Sequence, residues 1–219
     1  MTDKHAKPST IYKYIAVEGN IGAGKTTLCK LLSDDFDCRL VLESFADNPF
    51  LSLFYKTPER FALPVELFFM TERIEQMQLA IAASKKDDKP IVADYFFEKT
   101  ALFAENNLKG DEFALFKRLY QLSAAVIRSP DLIIYLHLAP RELLMNIKKR
   151  GREYEANISE EYLKKIEKKY FDYLQAEKKI PVLVLHLKDK YDEHADTVYQ
   201  TVKSVLSEKH VAGIRDIIL

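Results

Sequence analysis

Residues 14 to 27 read Tyr-Ile-Ala-Val-Glu-Gly-Asn-Ile-Gly-Ala-Gly-Lys-Thr-Thr. An apolar, β-rich run passes without a gap into Gly19-Asn20-Ile21-Gly22-Ala23-Gly24-Lys25-Thr26 and then into the helical spacing Leu28, Leu31, Leu32. Strand, glycine-rich turn and helix in that order are the setting that a polyphosphate-binding loop requires. Three glycines let the backbone curl so that consecutive N–H groups face inward, and the helix start adds the positive end of its dipole. Residues Gly19, Asn20, Ile21, Gly22, Ala23, Gly24, Lys25, Thr26 and Thr27 form the expected cradle, with Lys25 placed to reach the terminal phosphates and the Thr26 hydroxyl to ligate Mg²⁺. A glycine-rich turn with an unemployed lysine is the competing explanation, and the joint spacing of glycines, Lys and Thr outweighs it. The expected ligand is ATP or GTP.

A chain of 219 residues fits one α/β domain, since such domains run to roughly 200 to 250 residues before splitting. No glycine- or proline-rich linker divides it, and residues 1–11 read as a flexible polar N-terminus. Lys+Arg and Asp+Glu both number 33, so the net charge is zero, which argues against a nucleic-acid polymer or an anionic membrane as partner. Cys29 and Cys38 lack metal-ligand spacing and read as buried, reduced thiols. The N-terminus has no apolar signal region and no apolar run of about 18 residues occurs, so the expectation is a soluble, cytoplasmic protein.

Five short apolar runs, at 14–18, 40–44, 91–95, 132–138 and 181–187, have the β-branched composition of strands buried on both faces of a parallel sheet. The intervals 48–56, 58–84, 97–107, 111–128, 140–149, 159–178 and 193–208 carry helical periodicity, with Pro49, Pro58 and Pro140 where a first turn tolerates the ring. Strand and helix in alternation imply a five-stranded parallel sheet with right-handed crossovers and ligands at the carboxyl ends of its strands.

Two carboxylates stand at those ends. Glu43 closes the second run and Asp94 the third, so both converge beside the terminal phosphate if the strands are neighbours. One can accept the proton of an attacking hydroxyl while the other holds Mg²⁺, a phosphoryl-transfer arrangement. Either acid alone reads as a helix cap or solvated loop residue; their joint placement favours the site. Lys148-Lys149-Arg150-Gly151-Arg152-Glu153-Tyr154-Glu155 clusters cations around a flexible glycine, as a lid over a triphosphate needs, and a solvated basic helix end is its competitor.

Taken together, VEGNIGAGKTT, ESFADNPFL, FYKTPERFALPVELFFMTER, DYFFEKTALFAENNL and KKRGREYE resemble the deoxynucleoside kinases, nearest the bacterial deoxyadenosine/deoxyguanosine branch. The resemblance covers nearly the whole chain. It implies a kinase fold with an Arg-rich lid and transfer of the ATP γ-phosphoryl group to the 5′-hydroxyl of a deoxynucleoside. By the same resemblance Glu43 is the base that activates the hydroxyl, Tyr55 and Glu155 hold the sugar 3′-hydroxyl, Arg73 lies by the base, and Arg150 and Arg152 close over the transfer. Lys25 and Asp94 complete the catalytic set, and Thr26 with Asp94 the metal set. A homodimer through helices 58–84 and 111–128 is also implied.

Two departures from the family pattern stand out. Asp94-Tyr95-Phe96 replaces an acid followed by Arg and then Ser or Thr; Lys99, Lys117, Arg118 and Arg128 are the cations available to substitute. Glu66 stands eleven residues after Tyr55, where the family carries a base-reading glutamine. Ionised, it presents acceptors only and matches the N1–H and N2–H₂ donors of guanine, a match that weakens if Arg73 occupies it. Among nearby aromatics Phe96 or Phe97 is expected to stack on the base. The alternatives are a nucleoside monophosphate kinase of the thymidylate kinase type, which needs a further basic pocket, and a catalytically silent nucleotide-binding subunit, for which Tyr95 speaks and Gly24-Lys25-Thr26 does not.

Overall fold

The first apolar run forms β1 (Tyr14–Gly19), all six residues buried. Its pleat divides them: Ile15 and Val17 enter one core, Tyr14 and Ala16 the other, as a period of two dictates. The computed structural model describes residues 9–45, 47–187 and 191–219. The flexible N-terminus expected at 1–11 lies largely outside them, and within them Thr10 donates its hydroxyl to the Leu206 carbonyl at 3.1 Å.

The remaining strands are β2 (Arg39–Val41), β3 (Ile91–Ala93), β4 (Leu132–His137), β5 (Pro181–His186) and β6 (Gly213–Ile218), ordered β2-β3-β1-β4-β5-β6 with every pairing parallel. The sheet therefore has six strands rather than five. Gly-Ile-Arg-Asp-Ile-Ile at 213–218 forms an edge strand that pairs only with β5 and stays half-exposed. Its Arg215 and Asp216 break the continuous apolar run that marks a strand buried on both faces, and charges are how edges are kept from pairing further. β2 and β3 are shorter than the expected 40–44 and 91–95, so Glu43 and Asp94 sit in the chain just beyond them.

Each expected helical interval holds a helix: α1 (Lys25–Phe36), α2 (Leu51–Lys56), α3 (Pro58–Asp87), α4 (Lys99–Asn107), α5 (Gly110–Ala124), α6 (Pro140–Arg150), α7 (Glu160–Ala176) and α8 (Tyr191–Leu206), with α1 the helix that opens from the glycine loop. A single 3-10 turn covers Glu153–Glu155. On one face of the sheet Leu28, Leu32, Leu143 and Val202 pack α1, α6 and α8 against Val17, Ile134 and Leu185. On the other, Met77, Ile166, Tyr170 and Leu174 of α3 and α7 cover Tyr14, Ile133 and Tyr135. Phe54, Val65, Phe69, Phe97 and Phe116 join α2 to α5 in a third cluster beyond the carboxyl end of the sheet. Cys29 and Cys38 are buried free thiols.

Gly19 marks where β1 turns into the loop. Its φ is +150°, and a Cβ there would lie 2.6 Å from the Leu136 carbonyl oxygen of β4 and 3.0 Å from the Ala23 Cβ. Backbone of a central strand cannot yield cheaply, so Gly19→Ala is expected to cost about 2 kcal/mol or more. A thermal melt should fall by about 4 to 8 °C; an unchanged melting temperature would show that the turn relaxes freely.

Candidate active site

The phosphate cradle is braced from outside itself. Gly22 and Gly24 adopt φ of 88° and 89°, which turns the loop amides inward. Asn20 donates through Nδ2 to the Leu163 carbonyl on α7 at 2.8 Å, and Asn146 on α6 donates to the Gly22 carbonyl at 2.9 Å. Lys25 Nζ donates to the carbonyls of Gly19 at 2.8 Å and Asn20 at 3.0 Å. Burial, reinforced by the Lys99 charge and opposed by Glu18, Asp94 and Glu43, lowers its pKa to about 8. Thr26 donates its hydroxyl to Asp94 Oδ2 at 2.6 Å, and Asp94 Oδ1 accepts the Glu43 amide at 2.8 Å. The order β2-β3-β1 makes this convergence possible, because β3 stands between the other two.

Glu43 is the most constrained charge in the site. Its Oε1 accepts Arg73 Nε at 2.9 Å together with Arg73 Nη2, and its Oε2 accepts Lys99 Nζ at 2.7 Å. All three residues are buried. Burial by itself would raise the carboxyl, but Lys99 and Arg73 overrule it and hold the pKa down at about 2. A carboxylate offers about four acceptor sites; three are filled, leaving one open.

Lys99 is the cation that answers the departure at Tyr95. Of the four cations available in sequence, it is the one on Glu43, reaching it from the first turn of α4. Tyr95 instead packs its ring 5.9 Å from the Arg73 guanidinium and donates its hydroxyl to Gln76 Oε1 at 2.8 Å. Arg73 does not pair with Glu66; Nη1 goes to Thr100 Oγ1 at 2.8 Å and the rest to Glu43.

A cavity of about 450 Å³ opens between the cradle and α3, within the range of small-molecule sites. Helical spacing places its walls: Glu66 and Arg73, two turns apart, face it from α3, and Lys99, Phe103 and Asn107, one turn apart each, face it from α4. Tyr55, Phe45, Phe69 and Tyr162 also line it, as do Lys25, Thr26, Thr27 and Glu43 at the cradle end. Phe96 does not. Its ring lies in the core, 6.5 Å from Tyr170 and 5.2 Å from Tyr173, and its amide donates to the buried Glu18 at 3.0 Å. Phe97 likewise stacks at 5.3 Å on Tyr120. Neither Phe96 nor Phe97 is therefore in place for the expected stacking; the phenylalanine rings that do line the cavity include those of Phe45, Phe69 and Phe103.

The lid segment folds over the same cavity. Glu155 Oε2 accepts Arg150 Nε at 3.1 Å and Nη2 at 2.5 Å, and Oε1 accepts Arg152 Nη1 at 3.4 Å. Arg152 also rests 5.0 Å from the Phe45 ring centroid, and Tyr154 stacks on Tyr55 at 6.3 Å. Arg150, Arg152, Glu155 and Tyr55 therefore meet at one mouth. Sequence reasoning did not reach Thr100, Asn107, Tyr162 or Glu18; only the spacing 99, 103, 107 pointed to one face of α4, and nothing local said which way that face turns.

A family model described as Deoxynucleoside kinase matches residues 15–207, everything from β1 to the end of α8 and stopping short of β6. A deoxyguanosine kinase of Bacillus subtilis is 36% identical over 153 residues, 70% of this chain and 74% of that protein. A deoxyadenosine kinase of Dictyostelium discoideum is 33% identical over 183 residues, 82% of this chain and 74% of that one. Among solved structures, deoxyadenosine kinase from M. mycoides with bound dATP superimposes with a TM-score of 0.75 at 24% identity, covering 88% of this chain and 98% of that chain. With a matching family pattern from the glycine cradle to α8, and with cradle, buried carboxylate and lid around one cavity, this chain belongs to the deoxynucleoside kinase family and is a phosphotransferase.

Proposed function

We propose that the protein transfers the γ-phosphoryl group of ATP to the 5′-hydroxyl of a purine deoxynucleoside in nucleotide salvage, and that Glu43 receives the hydroxyl proton. One observation carries this reading: the Glu43 carboxylate keeps a single open acceptor site on the cavity wall between the phosphate cradle and the pocket lined by Tyr55, Glu66 and Glu155. A carboxyl held near pKa 2 is a weak base. That suffices for a loose phosphoryl-transfer transition state, in which positioning and charge neutralisation supply most of the rate and the proton leaves late.

In this reading Lys25 exchanges the Gly19 and Asn20 carbonyls for the β and γ phosphates, alongside the loop amides from Asn20 to Thr27. Arg150 and Arg152 close on the transferred group. Tyr55 and Glu155 hold the 3′-hydroxyl, Glu66 reads the base, and Arg73 with Lys99 fixes the angle of Glu43. The Thr26 hydroxyl and Asp94 carboxylate are hard oxygen donors 2.6 Å apart. They suit Mg²⁺, which takes one or two protein oxygens and completes its shell from substrate phosphates and water. Bound there, it would neutralise charge on the phosphates. The exposed Leu79 on α3 and Leu115, Leu119 and Leu122 on α5 support a homodimer through these helices. No described helix is long and apolar enough to cross a membrane, and the balanced charge fits a small-molecule substrate rather than a polymer; a cytoplasmic location completes the proposal.

A monophosphate acceptor is disfavoured by the same geometry. It needs cations to receive its phosphate, whereas Arg73 and Lys99 are both committed to Glu43.

Glu43→Gln is expected to lower turnover of a deoxynucleoside by about 10² to 10⁴-fold while a fluorescent ATP analogue binds with little change; turnover within a few-fold of the parent would remove Glu43 as the base. Lys99→Met is expected to lower kcat by about tenfold to a hundredfold through misplacement of Glu43, and Lys99→Arg to restore most of it because the charge is kept. Equal kcat in Lys99→Met and the parent would show that Arg73 alone positions the carboxylate.

A further inference from the structure

The two carboxyl oxygens of Glu66 are in unequal states. Oε1 accepts Asn107 Nδ2 at 2.7 Å. Asn107 is itself fixed, its Oδ1 accepting Asn106 Nδ2 at 2.9 Å and the Tyr162 hydroxyl at 3.4 Å. Oε2 is buried and has no hydrogen-bond partner among the described residues, although the residue lines the cavity. A buried polar atom left unpaired is costly, and here the group that can satisfy it is whatever enters the cavity.

The charged and titratable groups facing Glu66 are Arg73 from its own helix, Glu43 from the chain after β2, Lys99 with the neutral Asn107 from α4, and Tyr162 from α7. Neither cation donates to it, because Arg73 is spent on Glu43 and Thr100 and Lys99 on Glu43. Burial is the strongest influence on the Glu66 carboxyl and raises its pKa to about 7; Asn107, Arg73 and Lys99 restrain the rise, and Glu43 adds to it. Both protonation forms are therefore accessible near neutral pH.

The two forms read different base edges. Ionised, Glu66 offers acceptors only, which fit the N1–H and N2–H₂ donors of guanine. Neutral, it offers a donor at Oε2 beside an acceptor at Oε1, the pattern that adenine completes with its N1 acceptor and N6–H₂ donor. We propose that the protonation state of Glu66 selects the purine: the ionised carboxylate takes deoxyguanosine, the neutral acid takes deoxyadenosine, and Asn107 is the positioning residue that leaves Oε2 as the atom that carries or releases the proton. This rests on the reading above that the base lies against Glu66.

The test is kcat/KM for deoxyguanosine and for deoxyadenosine from pH 6 to pH 8, taken as a ratio so that every titration common to both reactions cancels. Neither base changes protonation in that interval. The guanine-to-adenine ratio is expected to rise with pH, approaching about tenfold per unit where each base is bound by one form alone, since apparent affinity scales with the competent fraction. Glu66→Gln, with a permanent donor and acceptor, should give a flat ratio that favours deoxyadenosine. Asn107→Ala removes a hydrogen bond that stabilises the ionised form and should displace the curve to higher pH, lowering the guanine-to-adenine ratio at every pH. A flat ratio in the parent protein with both nucleosides turned over overturns the switch and leaves the kinase reading intact. A pH-dependent ratio in Glu66→Gln like that of the parent overturns it as well. Absence of turnover with either nucleoside at every pH overturns the underlying reading and the switch with it.

Discussion

The bond between Glu43 and its two cations holds the rest of the site in register. Three separate pieces of chain, the segment after β2, the middle of α3 and the first turn of α4, supply one carboxylate, one guanidinium and one ammonium to a buried stretch of the cavity wall. Removing such charges from water is expensive, and their mutual attraction repays it only with good geometry and full hydrogen bonding. That condition is met here: Arg73 places two donors on one oxygen and a third on Thr100, and Lys99 takes the other oxygen. Loss of Glu43 would leave two buried cations without their shared partner, and loss of either cation would free one carboxylate oxygen, so the three elements cannot drift apart independently. A third cation at position 95 would place a second positive excess beside Arg73 and Lys99. Tyr95 instead lends Arg73 the face of its ring and ties its hydroxyl to α3 through Gln76.

The ion triad also sets the charge beside Glu66. Arg73 and Lys99 carry two positive charges against one on Glu43, so the triad and Glu66 together are positive by one unit when Glu66 is neutral and balanced when Glu66 is ionised. The Coulomb pull of the two cations favours the ionised form, and the absence of a direct hydrogen bond from either keeps that pull modest against burial. Glu66 thus feels the same ion triad that orients Glu43, and the two ends of the cavity are electrostatically linked.

Much of this was legible in the sequence. The glycine cradle with its flanking strand and helix announced the parallel α/β sheet, and the acids Glu43 and Asp94 were recognisable because each follows an apolar run. Buried strands of a parallel sheet are uniform in composition, and that uniformity makes them readable. β6 escaped for the opposite reason: an edge strand mixes charges with its isoleucines. Lys99 could be named only as one cation of four, since its selection depends on how α4 is rotated about its axis, which the third hydrophobic cluster decides rather than any local signal. Phe96 misled for a related reason. Its place directly after the third strand put it near the site in sequence, but the pleat turned its ring into the core beside Tyr170 while its backbone amide capped Glu18.

The groups assigned above to phosphate, metal and sugar are engaged with one another. Lys25 holds loop carbonyls, Thr26 holds Asp94, and Arg150 and Arg152 hold Glu155. Each of these contacts keeps a polar group satisfied and near its working position. In the proposed reading, binding would be an exchange of partners rather than a rescue of bare charges, with little side-chain ordering left to do. Glu66 Oε2 stands outside this scheme. It is the cavity-lining side-chain oxygen among the described residues that is buried without a partner, and no internal exchange can supply one. In the proposed reading, the free energy gained when a base satisfies that atom is tied to the identity of the base, whereas the contacts to phosphate and sugar would be the same for every deoxynucleoside. In that reading, discrimination concentrates at Glu66, the one cavity-lining side chain among the described residues that keeps a buried oxygen unpaired.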